Sequence, residues 1–430
     1  MAGVVCLILL LVSWTIVLGS KSAAEKQLEL IRQADELIED LIYIRAATLL
    51  EEAAEYNAAY TQTAEDELKK VYLALIDNRG IRRKYTGLLE KQMGRNNASP
   101  EVFAEAACYY LSISKVPEAL AVLREGIVKT GSDMLAVMYE CHRYVYETSR
   151  FSYDYAAEPF GSTVQVKTGD LWGISGTDGA SFIPCEYDRI STFSGDRAIA
   201  MKNGEVFAVD KNNNRIAKLG EKASAFGNLA DDRLPVFVSG VWRRAMADLT
   251  LGSVEFQQIG TYSGGFAAAK TAGKWGVIDV ASNWLISPEY DGIIQDGLGR
   301  CYAQNAVFVR SGGIVLLIVG GRQLGDPFED ARPFSAEGYA AVKRNGKWGY
   351  IDTDGTVKIG FRFDDALSFG QHLAAVKQGE LWGYISMAGH VVIEPVFLEA
   401  RSFSNGSAPV LSERGWLFIS LLEYKRGPSL

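Results

Sequence analysis

"RNGKWGYIDTDGT", residues 344–356, decides the fold. It places two acids one residue apart, Asp352 and Asp354, directly after the apolar run Trp348-Gly349-Tyr350-Ile351. That is a catalytic pattern, since a carboxylate at the end of a strand is well placed to act as a nucleophile. The same string holds Asn345-Gly346 and Asp354-Gly355. Both dipeptides supply the positive φ that tight hairpin turns need, and each flanks a short aromatic and β-branched stretch. The reading turns on whether the string occurs once or recurs.

It recurs. Trp-Gly stands at Trp172-Gly173, Trp275-Gly276, Trp348-Gly349 and Trp382-Gly383. Degenerate members are assigned to Val206-Phe207, Trp242-Arg243, Val307-Phe308 and Trp416-Leu417. Trp348, Trp382 and Trp416 are 34 residues apart in succession, and eight units fit, with one longer step between Val307 and Trp348. A fixed period of this size signals a repeat architecture. Other features keep register with it. Aromatic-Ser starts occur at Phe193-Ser194, Tyr262-Ser263, Phe334-Ser335 and Phe403-Ser404. Ile183-Pro184, Ile286-Ser287-Pro288 and Ile393-Glu394-Pro395 close units, followed by aromatic-acid pairs at Tyr187-Asp188, Tyr290-Asp291 and Phe363-Asp364. Each unit reads as a three-stranded antiparallel meander, with the tryptophan filling the space between sheets and the glycine leaving room beside the indole. One such meander cannot bury its own apolar face, so units must stack.

These residues resemble the WG (or KWG) repeat family over about 160–420. The family is β-rich and typical of bacterial proteins, so the resemblance implies an architecture and a binding style and no reaction. Asp352-Thr-Asp-Gly-Thr356 also looks like the nucleophile motif of haloacid-dehalogenase-type phosphatases. Such a motif needs a parallel strand in an α/β domain, whereas the repeat gives it an antiparallel meander. Asp364-Asp365 is then the aromatic-acid corner and not a metal pair. Asp210, Asn212, Asn214 and Glu221 have the spacing of a calcium loop but Arg215 in place of its turn glycine, which favours a hairpin turn. Ile314–Gly325 reads as a buried strand of the fifth unit, because its glycines miss the phosphate-loop spacing. His142, His372 and His390 sit in no constellation, and the five cysteines have no disulfide or zinc spacing. The expectation is a non-enzyme with no cofactor and no metal.

The ends of the array bear on closure. Tyr153-Asp154-Tyr155-Ala156 matches Phe363-Asp364-Asp365-Ala366, the end of a unit, while the C-terminal unit has little room for a closing strand. A propeller closed within one blade uses such a split and leaves no raw sheet edge. An open β-solenoid is the alternative.

Residues 22–150 carry apolar positions every three to four residues, the mark of amphipathic helices. Ser99-Pro100-Glu101 starts one, and Phe103, Ala106, Ala107, Tyr110, Ala119, Leu123 and Gly126 follow. This unit resembles a tetratricopeptide repeat, with Ala107, Ala119 and Gly126 where two helices approach closely; a plain helical bundle is the other reading. Ala2–Gly19 is apolar throughout and ends at Lys21. It is long enough to span a membrane as an uncleaved anchor, with a signal peptide cut near Ser22-Ala23-Ala24 as the alternative. No basic residue precedes it, which a start codon further upstream would remedy.

The expected organisation is therefore multidomain, α and β. Residues 1–21 form an anchor or signal peptide, 22–150 an all-α TPR-like region, and 151–430 an all-β domain, propeller-like with about eight three-stranded units. The expected protein is a single-pass membrane protein with its bulk outside the cytoplasm, or a secreted one after signal cleavage, and a monomer. The net charge of −8 argues against nucleic acid. The expected partner is a protein or peptide, with cell-envelope glycan as the second possibility. Tyr302, Tyr339 and Trp284 break the usual choice at their repeat positions and are the aromatics to examine for sugar stacking. A hydrolase on the scaffold is the last reading.

Overall fold

The computed structural model describes residues 22–424 apart from 302 and 304. The apolar segment 2–19 lies outside the described residues, as do the anchor and signal-peptide readings. Among the described residues no helix is long and apolar enough to cross a membrane. The chain divides into two units, Met1–His142 and Arg143–Leu430.

The first unit holds seven helices among its described residues: α1 (22–39), α2 (Tyr43–Glu55), α3 (Thr61–Ala74), α4 (Arg79–Met93), α5 (Pro100–Ser112), α6 (Val116–Thr130) and α7 (Asp133–His142). Asn78 caps α4 by accepting from the N–H groups of Gly80 and Ile81, and Gly131, at φ +66, ends α6 in the left-handed conformation. Phe103, Ala106, Ala107, Ala119 and Leu123 are fully buried in one core. A Cβ on Gly126 would lie 2.7 Å from Phe103 Cγ, so α5 and α6 close on each other there as the sequence predicts. The buried Gln27 pins α1 to its neighbours. Its Nε2 donates to the Ala53 carbonyl (2.9 Å) and to Thr61 Oγ1 (3.0 Å), and its Oε1 accepts from the Tyr60 N–H.

The second unit is an eight-bladed β-propeller. Its strands form eight sheets of four, each antiparallel and in chain order except the last. Blade 6 shows the plan: Asp330–Ala331, Tyr339–Arg344, Lys347–Asp352 and Val357–Phe363. The units are therefore four-stranded and not three-stranded, because the aromatic-acid corner leads into a two-residue first strand of the next blade. That strand is too short to show alternation. In blade 8, Glu399–Ala400, Ser407–Ser412 and Gly415–Leu421 come from the C-terminal end, and the fourth strand is Tyr146–Thr148, pairing Tyr146 with Leu421 and Thr148 with Ile419. The ring thus closes within a blade, which removes the open solenoid. Tyr155–Ala156 has the register of Asp365–Ala366 as expected, but both are first strands and neither is a closing piece. The closing strand also moves the boundary between units from 150 to Arg143. Blades 8 and 1 meet through Arg401 Nε donating to the Ala156 carbonyl (3.3 Å) and an edge contact of Tyr155 with Trp416 at 5.9 Å.

Register explains the Trp-Gly pair. Trp348 lies in an apolar cluster with residues of blades 6 and 7, such as Tyr350, Phe369 and Val376. Gly349 makes room for backbone and not for the indole. Trp348 pairs with Phe363 and Tyr350 with Ile359, so the fourth strand bulges opposite Gly349. A Cβ there would meet the Ile359 carbonyl oxygen at 2.7 Å, and Gly173, Gly276 and Gly383 face the same obstacle at 2.5, 2.3 and 2.5 Å. In blade 5 the pairing assigns Val315-Leu316, and not Val307-Phe308, to the Trp-Gly position. Ile314–Val319 is the third strand of that blade, as the sequence reading of 314–325 expects. The glycine has crossed to the bulging strand as Gly325, at φ +67.

Candidate binding surface of the β ring

The opening string is two turns. Asn345 and Gly346 take φ of +52 and +75, as a two-residue hairpin requires. Asp352 caps the next turn: its Oδ1 accepts from the N–H groups of Asp354 (3.0 Å) and Thr356 (2.9 Å), and its Oδ2 faces Lys358 Nζ at 2.9 Å. The Lys358 ammonium and these N–H groups hold its carboxyl below the usual carboxylate range. Asp210 is tied down in the same way by Asn212 and Asn214, so the calcium-like spacing is a hairpin turn. Asp364 accepts from Lys347 Nζ (2.6 Å) and from the Gly379 N–H (2.8 Å) of the next blade. Asp154, Asp188, Asp291 and Glu329 accept from turn N–H groups at Gly169, Asn203, Gly312 and Gly346 in the same manner. The aromatic-acid corner is thus a clasp between neighbouring blades.

A second feature, shared by blades 6 and 8, lies over their indoles. The residue following the first strand is Arg332 in blade 6 and Arg401 in blade 8. Each guanidinium covers the tryptophan of its own blade, Trp348 at 4.4 Å and Trp416 at 4.2 Å from the ring centroid. Arg332 lies between Asp330 (3.5 Å) and Asp365 of the next blade (3.3 Å), and Arg401 pairs with Glu399 (3.3 Å). In blade 7 the same position is Leu367. A cleft of about 390 Å³ opens there, bounded by Trp382, Asp365, Glu399, Lys377, Leu398 and Arg401. Leu398 is 48% exposed and Val396 56%.

The centre of the ring differs from the rim. Six residues separate the first and second strands of most blades, as in 157–162, 260–265 and 367–372; blade 6 has seven and blade 5 has twelve, 294–305. This inserted loop is the long step in the repeat, and it falls before Val307 and not after it. Its described part folds on Asp296, whose carboxylate accepts from the N–H groups of Leu298 and Arg300 and from Arg300 Nε (2.6 Å). The Leu298 carbonyl accepts from Thr261 Oγ1 of blade 4 (2.6 Å) and from Asn228 Nδ2 of blade 3 (3.2 Å). Arg300 covers the Phe160 ring of blade 1 at 5.9 Å, and a Cβ on Gly297 would lie 2.9 Å from Glu158 Cγ. Blades 1 and 5 are opposite in a ring of eight, so the loop bridges the centre. Burial raises the Glu158 carboxyl and nearby Asp296 adds to it, against the Ser402 N–H (3.1 Å) and Arg401.

Of the aromatics singled out by the sequence, Trp284 is 37% exposed and Tyr339 is half-buried against Phe369. Tyr302 lies outside the described residues. The repeat tryptophans Trp275, Trp348, Trp382 and Trp416 are buried. His372 and His390 are exposed on different turns of blade 7, His142 ends α7, and among the described residues no cluster of His, Cys, Asp and Glu could hold a metal ion. Cys108 and Cys141 are exposed free thiols. On the helical unit, Leu41 and Ile44 beside the turn from α1 to α2 are 69% and 75% exposed. The sequence reading missed the cleft and the central loop. The signals were Leu367 where blades 6 and 8 have arginine, and the extra length before Ala306.

Six segments, 172–205, 253–275, 275–298, 328–348, 348–382 and 382–416, match the family described as "WG containing repeat". The ring therefore carries WG repeats. No curated protein matches the chain. Among solved structures the chain is similar to "KlHsv2 with loop 6CD replaced by a Gly-Ser linker", at 12% identity over 64% of this chain and 96% of that one, with a TM-score of 0.36. The β-propeller domain of Cps50 (Swd1) from Myceliophteria thermophila is 10% identical over 62% of this chain and 99% of that one, TM-score 0.32. A eukaryotic initiation factor is 12% identical over 59% and 78%, TM-score 0.38. The propeller assignment rests on the strand pairing and not on these likenesses.

Proposed function

We propose that this protein is a non-enzymatic interaction scaffold. Its β ring binds a protein partner, and its helical unit, read as TPR-like, offers a second surface. The observation that carries this reading is the open seam between blades 7 and 8, where a polar cleft adjoins exposed Leu398 and Val396. Apolar side chains beside satisfied polar groups are the anatomy of a transient protein interface. The engagement of Asp352 in a turn supports the non-enzymatic part, because a capping carboxylate is not free to attack a substrate. The glycan alternative draws its main support from exposed Trp284, since four repeat indoles are buried and those of Trp172 and Trp242 are half-buried.

A photo-crosslinking residue at position 398 of the intact chain, with another at exposed Phe182 as control, tests the reading. A single defined protein adduct at 398 and none at 182 is expected. Polysaccharide adducts at 398, or equal labelling at both sites, would contradict it. The proposal includes anchoring through residues 2–19 with the bulk outside the cytoplasm. Cys108 and Cys141 make that part testable: in intact cells a membrane-impermeant maleimide labels both thiols if the bulk is outside, and neither before lysis if it is inside.

A further inference from the structure

We propose that the cleft in blade 7 is a receptor for a guanidinium group, the arginine side chain of a partner protein. This rests on the scaffold reading and names the chemistry of its site. The ring supplies its own controls. Blades 6 and 8 place Arg332 and Arg401 on their repeat indoles. Arg332 also lies between the acid that opens its own blade, Asp330, and the acid that opens the next, Asp365. Blade 7 keeps every part of this seat except the cation. Trp382 is the floor, Asp365 opens the blade, Glu399 opens the next one, and Leu367 leaves the space unfilled. A guanidinium entering from outside would lie on Trp382 between Asp365 and Glu399, as Arg332 lies on Trp348 between Asp330 and Asp365.

The acids of the cleft are shared with neighbouring cations, Asp365 with Arg332 and Glu399 with Arg401, as Asp330 in blade 6 is shared between Arg310 and Arg332. Arg401 covers Trp416 and donates to Glu399 and to the Ala156 and Ala400 carbonyls. Lys377, opposite Trp382 as Lys270 is opposite Trp275, lines the cleft with exposed Glu380 at 3.8 Å. An anionic ligand would have to rest on the negative face of the indole, which the ring quadrupole disfavours. A planar cation has the complementary charge and shape. In blade 4 the arginine position is Gly260, and there Lys270 lies over Trp275 at 5.8 Å. In blade 4 an indole without an arginine thus has a lysine of its own second strand over it.

The test uses the full chain labelled with 5-fluorotryptophan and read by fluorine NMR, with the Trp382 signal assigned by its loss in Trp382→Phe. Methylguanidinium, acetyl-Gly-Arg-Gly amide, free arginine and phosphate are titrated separately. The expected result is a saturable shift of the Trp382 signal with methylguanidinium, at a dissociation constant of roughly a millimolar, and tighter binding of the peptide. In Leu367→Arg the seat is filled from within: the other signals stay in place, the Trp382 signal is already shifted, and peptide binding weakens by at least about tenfold. Blades 6 and 8 show that the fold accepts arginine at this position. No shift with methylguanidinium, an equal shift with phosphate, or unchanged peptide binding in Leu367→Arg overturns the proposal. Free arginine binding more tightly than the peptide overturns the partner-protein source. A ring that still crosslinks one protein at position 398 while ignoring guanidinium would overturn this inference and leave the scaffold reading standing.

Discussion

Blades 2 and 6 share the pairing of their second and third strands, and part at the glycine position of the third. Blade 6 has Gly349, facing a fourth strand that bulges toward it. Blade 2 has Phe207, and its fourth strand, shortened to Arg215–Lys218, pairs residue by residue there, Phe207 with Lys218 and Ala208 with Ala217. The space that blade 6 gives to a bulge, blade 2 gives to a ring, which Arg215 covers at 3.8 Å. The glycine of the Trp-Gly pair is therefore a property of the strand beside it. Where the bulge is absent the glycine is dispensable, and in blade 5, where the bulge remains, a glycine stands on the other strand; blade 8 departs from both, with Leu417 at this position beside the irregular stretch between Thr148 and Tyr153.

The largest effect is expected from forcing blade 2 into the pattern of blade 6. Phe207 is fully buried, so Phe207→Gly should lower unfolding free energy by about 3–5 kcal/mol, measured by urea denaturation. Any stabilisation would mean that the bulge forms on demand. The converse change, Gly349→Ala, drives a Cβ into the Ile359 carbonyl and should destabilise by about 2–3 kcal/mol. Gly360→Ala on the adjacent strand is its control, since a Cβ there meets nothing within 4 Å. Equal effects of the two would show that steric contact with backbone is not the reason for the glycine.

Arg332→Leu makes blade 6 resemble blade 7. It should cost about 1 kcal/mol and open a second cleft over Trp348, visible as new quenching of tryptophan fluorescence by iodide. The smallest effect belongs to the centre. The folded-state pKa of Glu158 is raised above its unfolded value, chiefly by burial. Its contribution is thus fully present below the unfolded pKa and is lost as pH rises through the raised value. Glu158→Gln should leave stability unchanged near pH 4 and increase it slightly at pH 7–8, in paired denaturation series. A loss at neutral pH would mean that the carboxylate is needed charged.

Much of this was legible in the sequence, for reasons that can be given residue by residue. Asn345-Gly346 and the Trp-Gly spacing announce hairpins and period because a turn dipeptide and an indole are strong local signals. The match of Ala107, Ala119 and Gly126 to close-packed helical positions held because small residues have few other uses inside a helix. What escaped notice was short or non-local. Asp365–Ala366 is two residues long and shows no alternation, so the fourth strand was not counted. Tyr146–Thr148 sits directly after a helix and is a strand only because Gly415–Leu421 waits for it across the ring. Val307-Phe308 took the place of Val315-Leu316 because blade 5 has neither Trp nor Gly at that site and carries extra residues before it. The cleft at Leu367 is legible only when blades are superposed, since a leucine standing where blades 6 and 8 have arginine has no meaning until register is known.

The central claim, a ring closed by joining the first and last strands of the β unit in one blade, is open to a single measurement. Glu147 and Ser420 are directly opposed in blade 8. In a Glu147→Cys, Ser420→Cys variant with its native cysteines replaced by serine, mild oxidation should form an internal disulfide that peptide mapping places between 147 and 420. A closed ring predicts near-complete formation in dilute protein. An array that yields no such link, or only links between molecules, would contradict the closed propeller.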